Sequence, residues 1–214
     1  MPNWVDNALT IHGPAEELAR FAAQAATTYT SKYMDFGSGD MKMVEQEVET
    51  KFSFWNFIKP DDNILNEYWG QAPQGRSLAE AMQFKSNHWY DWNVRNWGCK
   101  WDASDTHVEE SVGELGYYFQ TPWSQPTEAL EAMSNQYPAL VMTMRSIEEQ
   151  GWGYEYIADQ DGVRQIAEWE IPDTHEERME HIGWCDCEEL DDDEMEYMYD
   201  DCPKKMELVG AGKS

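Results

Sequence analysis

The chain has 214 residues, 41% of them hydrophobic and 14% aromatic, with eleven Trp, eleven Tyr and a formal net charge of −27. So much aromatic side chain excludes a disordered polyanion, and the length suffices for one core with appendages. The negative field repels phosphate, which argues against direct binding of DNA or RNA.

The charge is unevenly placed. Residues 1–100 carry 13 acidic and 9 basic side chains, a net of −4, whereas residues 101–214 carry 29 and 6, a net of −23. A salt-adapted surface would spread its acids more evenly, so the asymmetry points to a localised electrostatic purpose. No run of eighteen apolar residues is present, and MPNWVDNALTIHG lacks the basic and apolar regions of a signal peptide. The expectation is a cytoplasmic protein, in the host cell if it comes from a mobile element, with no membrane contact and with reduced thiols at Cys99, Cys185, Cys187 and Cys202.

In chain order, Trp4 to His12 reads as a strand, with Val5, Leu9 and Ile11 apolar and Gly13-Pro14 closing it. PAEELARFAAQAATTY follows as a helix, with Glu16 and Glu17 in its first turn and Leu18, Phe21, Ala22 and Ala25 at helical spacing. The stretch 30–49 reads as an insertion or loop, KFSFWNFIKP (51–60) as a second strand, and 77–84 as a short helix. Four tryptophans fall within 87–103; Trp97 and Trp101 are expected to bury together around Gly98 while Lys100 and Asp102 face the other way. Leu115 to Thr121 reads as a strand, Pro126 to Pro138 as a helix, and 140–171 as two or three strands divided at Gly151 and Asp161-Gly162.

This order predicts an α+β fold, a ferredoxin-like antiparallel sheet with helices on one face, plus an acidic C-terminal extension. The expected division is a ferredoxin-like domain over 1–172, with insertions near 30–50 and 61–111, and an extension over 173–214.

Three stretches, MPNWVDN at the start, NWGCKWDA at 96–103 and FQTPWSQP at 119–126, resemble the YubB-like ferredoxin-like domain family of bacteriophage and plasmid proteins. Members share a Pro-Asn-Trp start, an Asn-Trp-Gly-x-Lys-Trp-Asp-Ala block and a Thr-x-Trp-x-x-Pro segment. The resemblance covers residues 1–157 and implies the fold and a mobile-element origin, but no catalytic residue. Val5 stands where a cysteine is common, and the acidic extension lies outside the pattern.

No P-loop, GxSxG, HExxH or dinucleotide-binding fingerprint occurs, and His12, His88, His107, His175 and His181 are scattered, so the chain is not read as an enzyme. His181, Cys185, Cys187 and Cys202 have the residue types of a zinc site. Their spacing is not the paired one of a zinc ribbon, and the plainer reading is cysteines packed beside Trp184 with no metal or cofactor bound.

CDCEELDDDEMEYMYDDC (185–202) holds ten carboxylates, namely Asp186, Glu188, Glu189, Asp191, Asp192, Asp193, Glu194, Glu196, Asp200 and Asp201. Met195, Met198, Tyr199 and Cys202 recur at helical spacing, which predicts a short acidic element docked on the body rather than a loose tail. The expected function is a phage or plasmid counter-defence protein. Those carboxylates, spaced like phosphates, would occupy the basic groove of a host nuclease or other nucleic-acid-binding defence protein, in the manner of anti-restriction and anti-CRISPR DNA mimics. The alternatives are an accessory metal-binding protein or enzyme of phage metabolism, and a structural module with a solubilising acidic tail.

Overall fold

The computed structural model describes residues 2–35, 42–70, 77–185, 187, 190 and 192–211. Strand β1 (Trp4–His12) alternates buried Val5, Asn7, Leu9 and Ile11 with Asp6, Ala8 and Thr10, the period-2 pattern of a strand covered on one face. Helix α1 (Ala15–Ala25) begins after Pro14 and lays Leu18, Phe21 and Ala25 on that face; Glu16 and Glu17 suit its positive N-terminal end. Strands β4 (Ser104–Ser111) and β5 (Glu114–Pro122), helix α5 (Thr127–Gln136) and strand β6 (Val141–Glu148) complete a βαββαβ unit, and β7 (Gly153–Asp159) and β8 (Gly162–Trp169) extend it. The sheet runs β4-β5-β1-β6-β7-β8 with every neighbouring pair antiparallel. This is the ferredoxin-like α+β architecture, with helices on one face.

Between α1 and β4 the chain makes one long excursion. Among the described residues, strands β2 (Tyr29–Asp35) and β3 (Lys42–Val48) pair only with each other, as a separate two-stranded sheet where the sequence suggests an insertion or loop, and helices α2 (Leu65–Tyr68), α3 (Leu78–Asn87) and α4 (Trp89–Trp97) follow. The sequence reading ends the insertion near 111, whereas Ser104–Ser111 is an edge strand of the main sheet.

The second strand expected over 51–60 is a 3₁₀ turn, Phe54–Asn56, capped by the Ser53 hydroxyl, which accepts from the Trp55 amide at 3.1 Å. The apolar alternation of KFSFWNF is real. It serves to drive Phe52, Phe54 and Phe57 into the main core, where Phe52 packs 4.8 Å from Tyr117 and Phe57 4.8 Å from Phe21 (centroid distances). The strand pattern is overridden because Asp102 collects this turn's donors: the Phe54 amide at 2.7 Å and the Ser53 hydroxyl at 2.5 Å, joined by Tyr29 Oη at 3.1 Å and the Ala103 amide at 2.8 Å.

Asp102 is therefore the inward residue of its block, and Trp101 the outward one, 39% exposed, the reverse of the alternation expected from sequence. Burial pushes the Asp102 carboxyl up, against the four donors that pull it down. Trp97 is buried as expected, its indole N–H donating to the Ile58 carbonyl at 3.0 Å. Gly98 ends α4 at φ +86°, and a Cβ there would meet the Gln125 carbonyl at 2.9 Å, so no other residue lets α4 close on the start of α5. Among the described residues no helix is long and apolar enough to cross a membrane.

Candidate functional site

The chain leaves the sheet at β8 and makes α6 (His175–His181), a turn carrying Cys185 and Cys187, a 3₁₀ segment (Asp192–Tyr197) and α7 (Pro203–Ala211). Thr174 caps α6 through its hydroxyl, which accepts from the Glu177 amide at 3.2 Å. The Asp201 carboxylate caps the same end from across the loop, accepting from the amides of His175 at 2.7 Å and Glu176 at 3.1 Å. The His175 bond is the main reason this carboxyl is held below its ordinary range.

This unit has its own small core. Cys185, Cys187, Met198 and Cys202 are buried together, with Leu190, Met195, Tyr199 and Leu208 packed around them. The apolar stripe expected over 195–202 thus exists, but it closes on the cysteines rather than docking on the sheet. Attachment to the sheet runs through Arg145 of β6, which pairs with Glu155 at 2.5 Å, lies 4.8 Å from the Trp169 ring centroid and donates to the His181 carbonyl. The His181 imidazole stacks on Trp169, 5.3 Å between centroids at 8°.

That placement corrects the expected ligand set. His181 faces the sheet, and His175 stands in its place beside the cysteines, with donor atoms of His175, Cys185 and Cys202 all within 4.8 Å of one another. The Cys187 amide donates to Cys185 Sγ at 3.4 Å, and Cys187 Sγ accepts from the Tyr199 amide at 3.4 Å. Burial, reinforced by the Cys185 and Cys202 sulfurs, pushes the Cys187 thiol up to about 12. Sequence reasoning missed His175 because it stands ten positions before Cys185, at the far end of α6; its position at the first turn of that helix is the signal that would have found it.

Of the ten carboxylates expected to meet a partner, Asp186, Glu188, Glu189 and Asp191 lie outside the described residues, and for Asp192, Asp193 and Glu194 only the backbone is described. Glu196 is exposed. Asp200 pairs with Lys205 at 2.7 Å, and Asp201 is spent on the α6 cap, so these two serve the unit's own structure.

The three short motifs of the sequence converge where the start of β1 pairs with the end of β5. Trp4, Trp101 and Trp123 form a row with centroids 6.1 and 5.7 Å apart, and Lys100 Nζ lies 4.8 Å from Trp101 and 4.7 Å from Trp123. Beneath them Asn7 donates to Thr121 Oγ1 at 2.9 Å and accepts from Ser146 Oγ at 2.7 Å, while Ser124 Oγ donates to the Gly98 carbonyl at 2.7 Å. Trp101 also borders an aromatic cleft of about 580 Å³, with Tyr68, Trp69, His88 and Trp89; Lys32 at its rim is paired with Glu45 at 2.8 Å.

No curated protein matches the chain. The crystal structure of a protein Api92 from Yersinia pseudotuberculosis aligns with a TM-score of 0.45 at 10% sequence identity, covering 80% of this chain and 99% of that one. The match to a family model starts in α4 and runs through strands β4–β8, helices α5 and α6 and the acidic segment as far as Asp200; β1 and α1 lie outside it. Over residues 96–200, just under half of its length, the chain is similar to the family described as the ferredoxin-like domain in Api92-like protein.

Proposed function

We propose that this is a non-catalytic protein whose acidic C-terminal half binds the positively charged nucleic-acid groove of a partner protein. The likeness of its motifs to the YubB-like phage and plasmid proteins makes a host defence nuclease the expected partner, blocked by carboxylates standing in for phosphates. One observation carries the reading: all five described cations of residues 101–214 are already engaged within the chain. Arg145 pairs with Glu155, Arg164 with Asp159 at 2.7 Å and Lys205 with Asp200. Arg178 lies 4.9 Å from the Trp184 ring centroid and Lys204 donates to the Leu190 carbonyl. Among the described residues, exposed Glu110 on edge strand β4 has no cation paired with it, and Glu109 has only the His107 imidazole, 3.6 Å away. A field of this kind steers a basic partner and repels nucleic acid.

The test is affinity capture from host lysate at low and high salt, with captured proteins identified and then challenged by duplex DNA and by RNA. The expected result is a basic nucleic-acid-binding protein released by salt and displaced by its own nucleic acid. Replacing Asp191, Asp192 and Asp193 by Asn and Glu194 by Gln is expected to weaken capture and flatten its salt dependence. Undiminished capture by that variant at low salt, or micromolar binding of nucleic acid by the chain itself, would refute the reading.

A further inference from the structure

The C-terminal unit has too little core for what it holds. Among the described residues its apolar core is three cysteines and one methionine, yet the loop they close carries ten carboxylates that repel one another. Protein segments with so few apolar contacts rely on a staple, a disulfide or a metal. The cysteines are free thiols.

A second observation comes from His175. Its Nδ1 is buried and has no hydrogen-bond partner, and buried polar atoms are almost always satisfied. His175 thus joins an unpartnered buried imidazole nitrogen to a ring nitrogen within 4.8 Å of two buried cysteine sulfurs, the placement of a metal-ligating histidine. Among the described residues this is the one such group of metal-ligating side chains.

We propose that His175, Cys185, Cys187 and Cys202 form a closed, four-coordinate structural site for Zn²⁺. Three thiolate sulfurs and one imidazole are a Cys₃His set, which selects zinc in tetrahedral geometry and leaves no open position for catalysis. Ligands around tetrahedral zinc stand about 3.8 Å apart, so His175, Cys185 and Cys202 need to draw in by up to about 1 Å, and Cys187, which lies outside that 4.8 Å group, must close on it as the fourth ligand. Donors are placed at the sulfurs: the amides of Cys187 and Tyr199 point at Cys185 and Cys187 Sγ, and Cys202 sits at the N-terminal end of α7, where its carbonyl accepts from the Met206 amide at 3.0 Å; burial alone keeps the Cys187 thiol protonated, so the charge of the bound cation is what would favour thiolate. Lys205 donates to the Met198 carbonyl at 3.0 Å, and Lys204 to the Leu190 carbonyl, bringing positive charge to a centre that would carry a net −1. On coordination each thiol gives its proton to solvent.

The spacing gives the site a purpose. His175 opens α6, Cys185 and Cys187 lie in the turn after it, and Cys202 precedes α7, so the metal would clasp both helices and every one of the ten carboxylates would hang on the loop between Cys185 and Cys202. The site does not depend on the partner proposed above.

The test is metal analysis of the full chain purified with reductant from zinc-supplemented cells, then exchange of zinc for Co²⁺. One zinc per chain is expected, and the cobalt form is expected to show a thiolate charge-transfer band and strong tetrahedral visible absorption. The double variant Cys185→Ser, Cys202→Ser and the variant His175→Ala are expected to lose at least tenfold in occupancy, with the thermal transition of the sheet retained as the sign of a folded body. His175→Cys is expected to keep the metal, as are His181→Ala, Cys99→Ser and the charge variant at 191–194. Less than a tenth of an equivalent of zinc in the parent overturns the proposal. So does a cobalt spectrum without the thiolate band, undiminished metal in the double variant, or a disulfide in the reduced preparation.

Discussion

The sheet body and the C-terminal unit are stabilised on different principles. In the body, Leu9, Ile11, Phe21, Phe52, Tyr117 and Phe119 lie in one continuous aromatic and aliphatic cluster, reached from α1, the insertion and the sheet alike. Such burial stabilises without help from any ion. Among the described residues the apolar core of 175–211 is Cys185, Cys187, Met198 and Cys202, under the densest negative charge of the chain. The contrast teaches where the chain is self-sufficient and where it depends on something bound.

If that division holds, Phe52→Ala has the largest effect on the body, about 3–5 kcal/mol, because the residue fills the space against Tyr117 and Phe119 although it belongs to the excursion outside the ferredoxin-like unit. Chemical denaturation reads this loss; an unchanged midpoint would mean the 51–60 segment is an appendage. Next comes Asp102→Asn, expected to cost about 1–3 kcal/mol, since an amide nitrogen cannot accept the donors that now converge on the second oxygen. Arg145→Met sharpens the comparison from the other side. It removes the link to Glu155, Trp169 and the His181 carbonyl, so amides of 175–211 should exchange faster, by about 2 kcal/mol of lost protection, with the midpoint of the body hardly moved. The smallest effect on stability belongs to the Asp191, Asp192, Asp193 and Glu194 amide variant, within about 0.5 kcal/mol of the parent by thermal melting, because on the proposed reading these acids meet a partner rather than hold the fold.

The fold was legible where local pattern and tertiary context agree. Trp4–His12 alternates cleanly and pairs on both sides, and Leu18, Phe21 and Ala25 mark one face of α1. It was illegible where a distant polar group decides: nothing in KFSFWNFIKP announces that Asp102, some fifty residues on, takes its amide and hydroxyl. The same holds for NWGCKWDA, where period-2 alternation sends Asp102 outward until four donors draw it in. In the C-terminal unit the ligand residue types were visible, but the histidine choice was not. His181 is nearer to Cys185 in sequence, and its loss to Trp169 follows from the β8 geometry that aligns the two rings. The acidic loop shows its charge in sequence; that Asp200 and Asp201 are diverted to Lys205 and to the α6 cap is a tertiary fact.

The central claim, that the acidic loop is held in shape by a bound metal while the sheet stands alone, is tested most directly by amide hydrogen exchange on the zinc-loaded chain before and after a strong chelator. The account predicts that residues 175–211 lose their protection on chelation while β1, β5 and β6 exchange as before. Identical exchange of 175–211 in both states would contradict it.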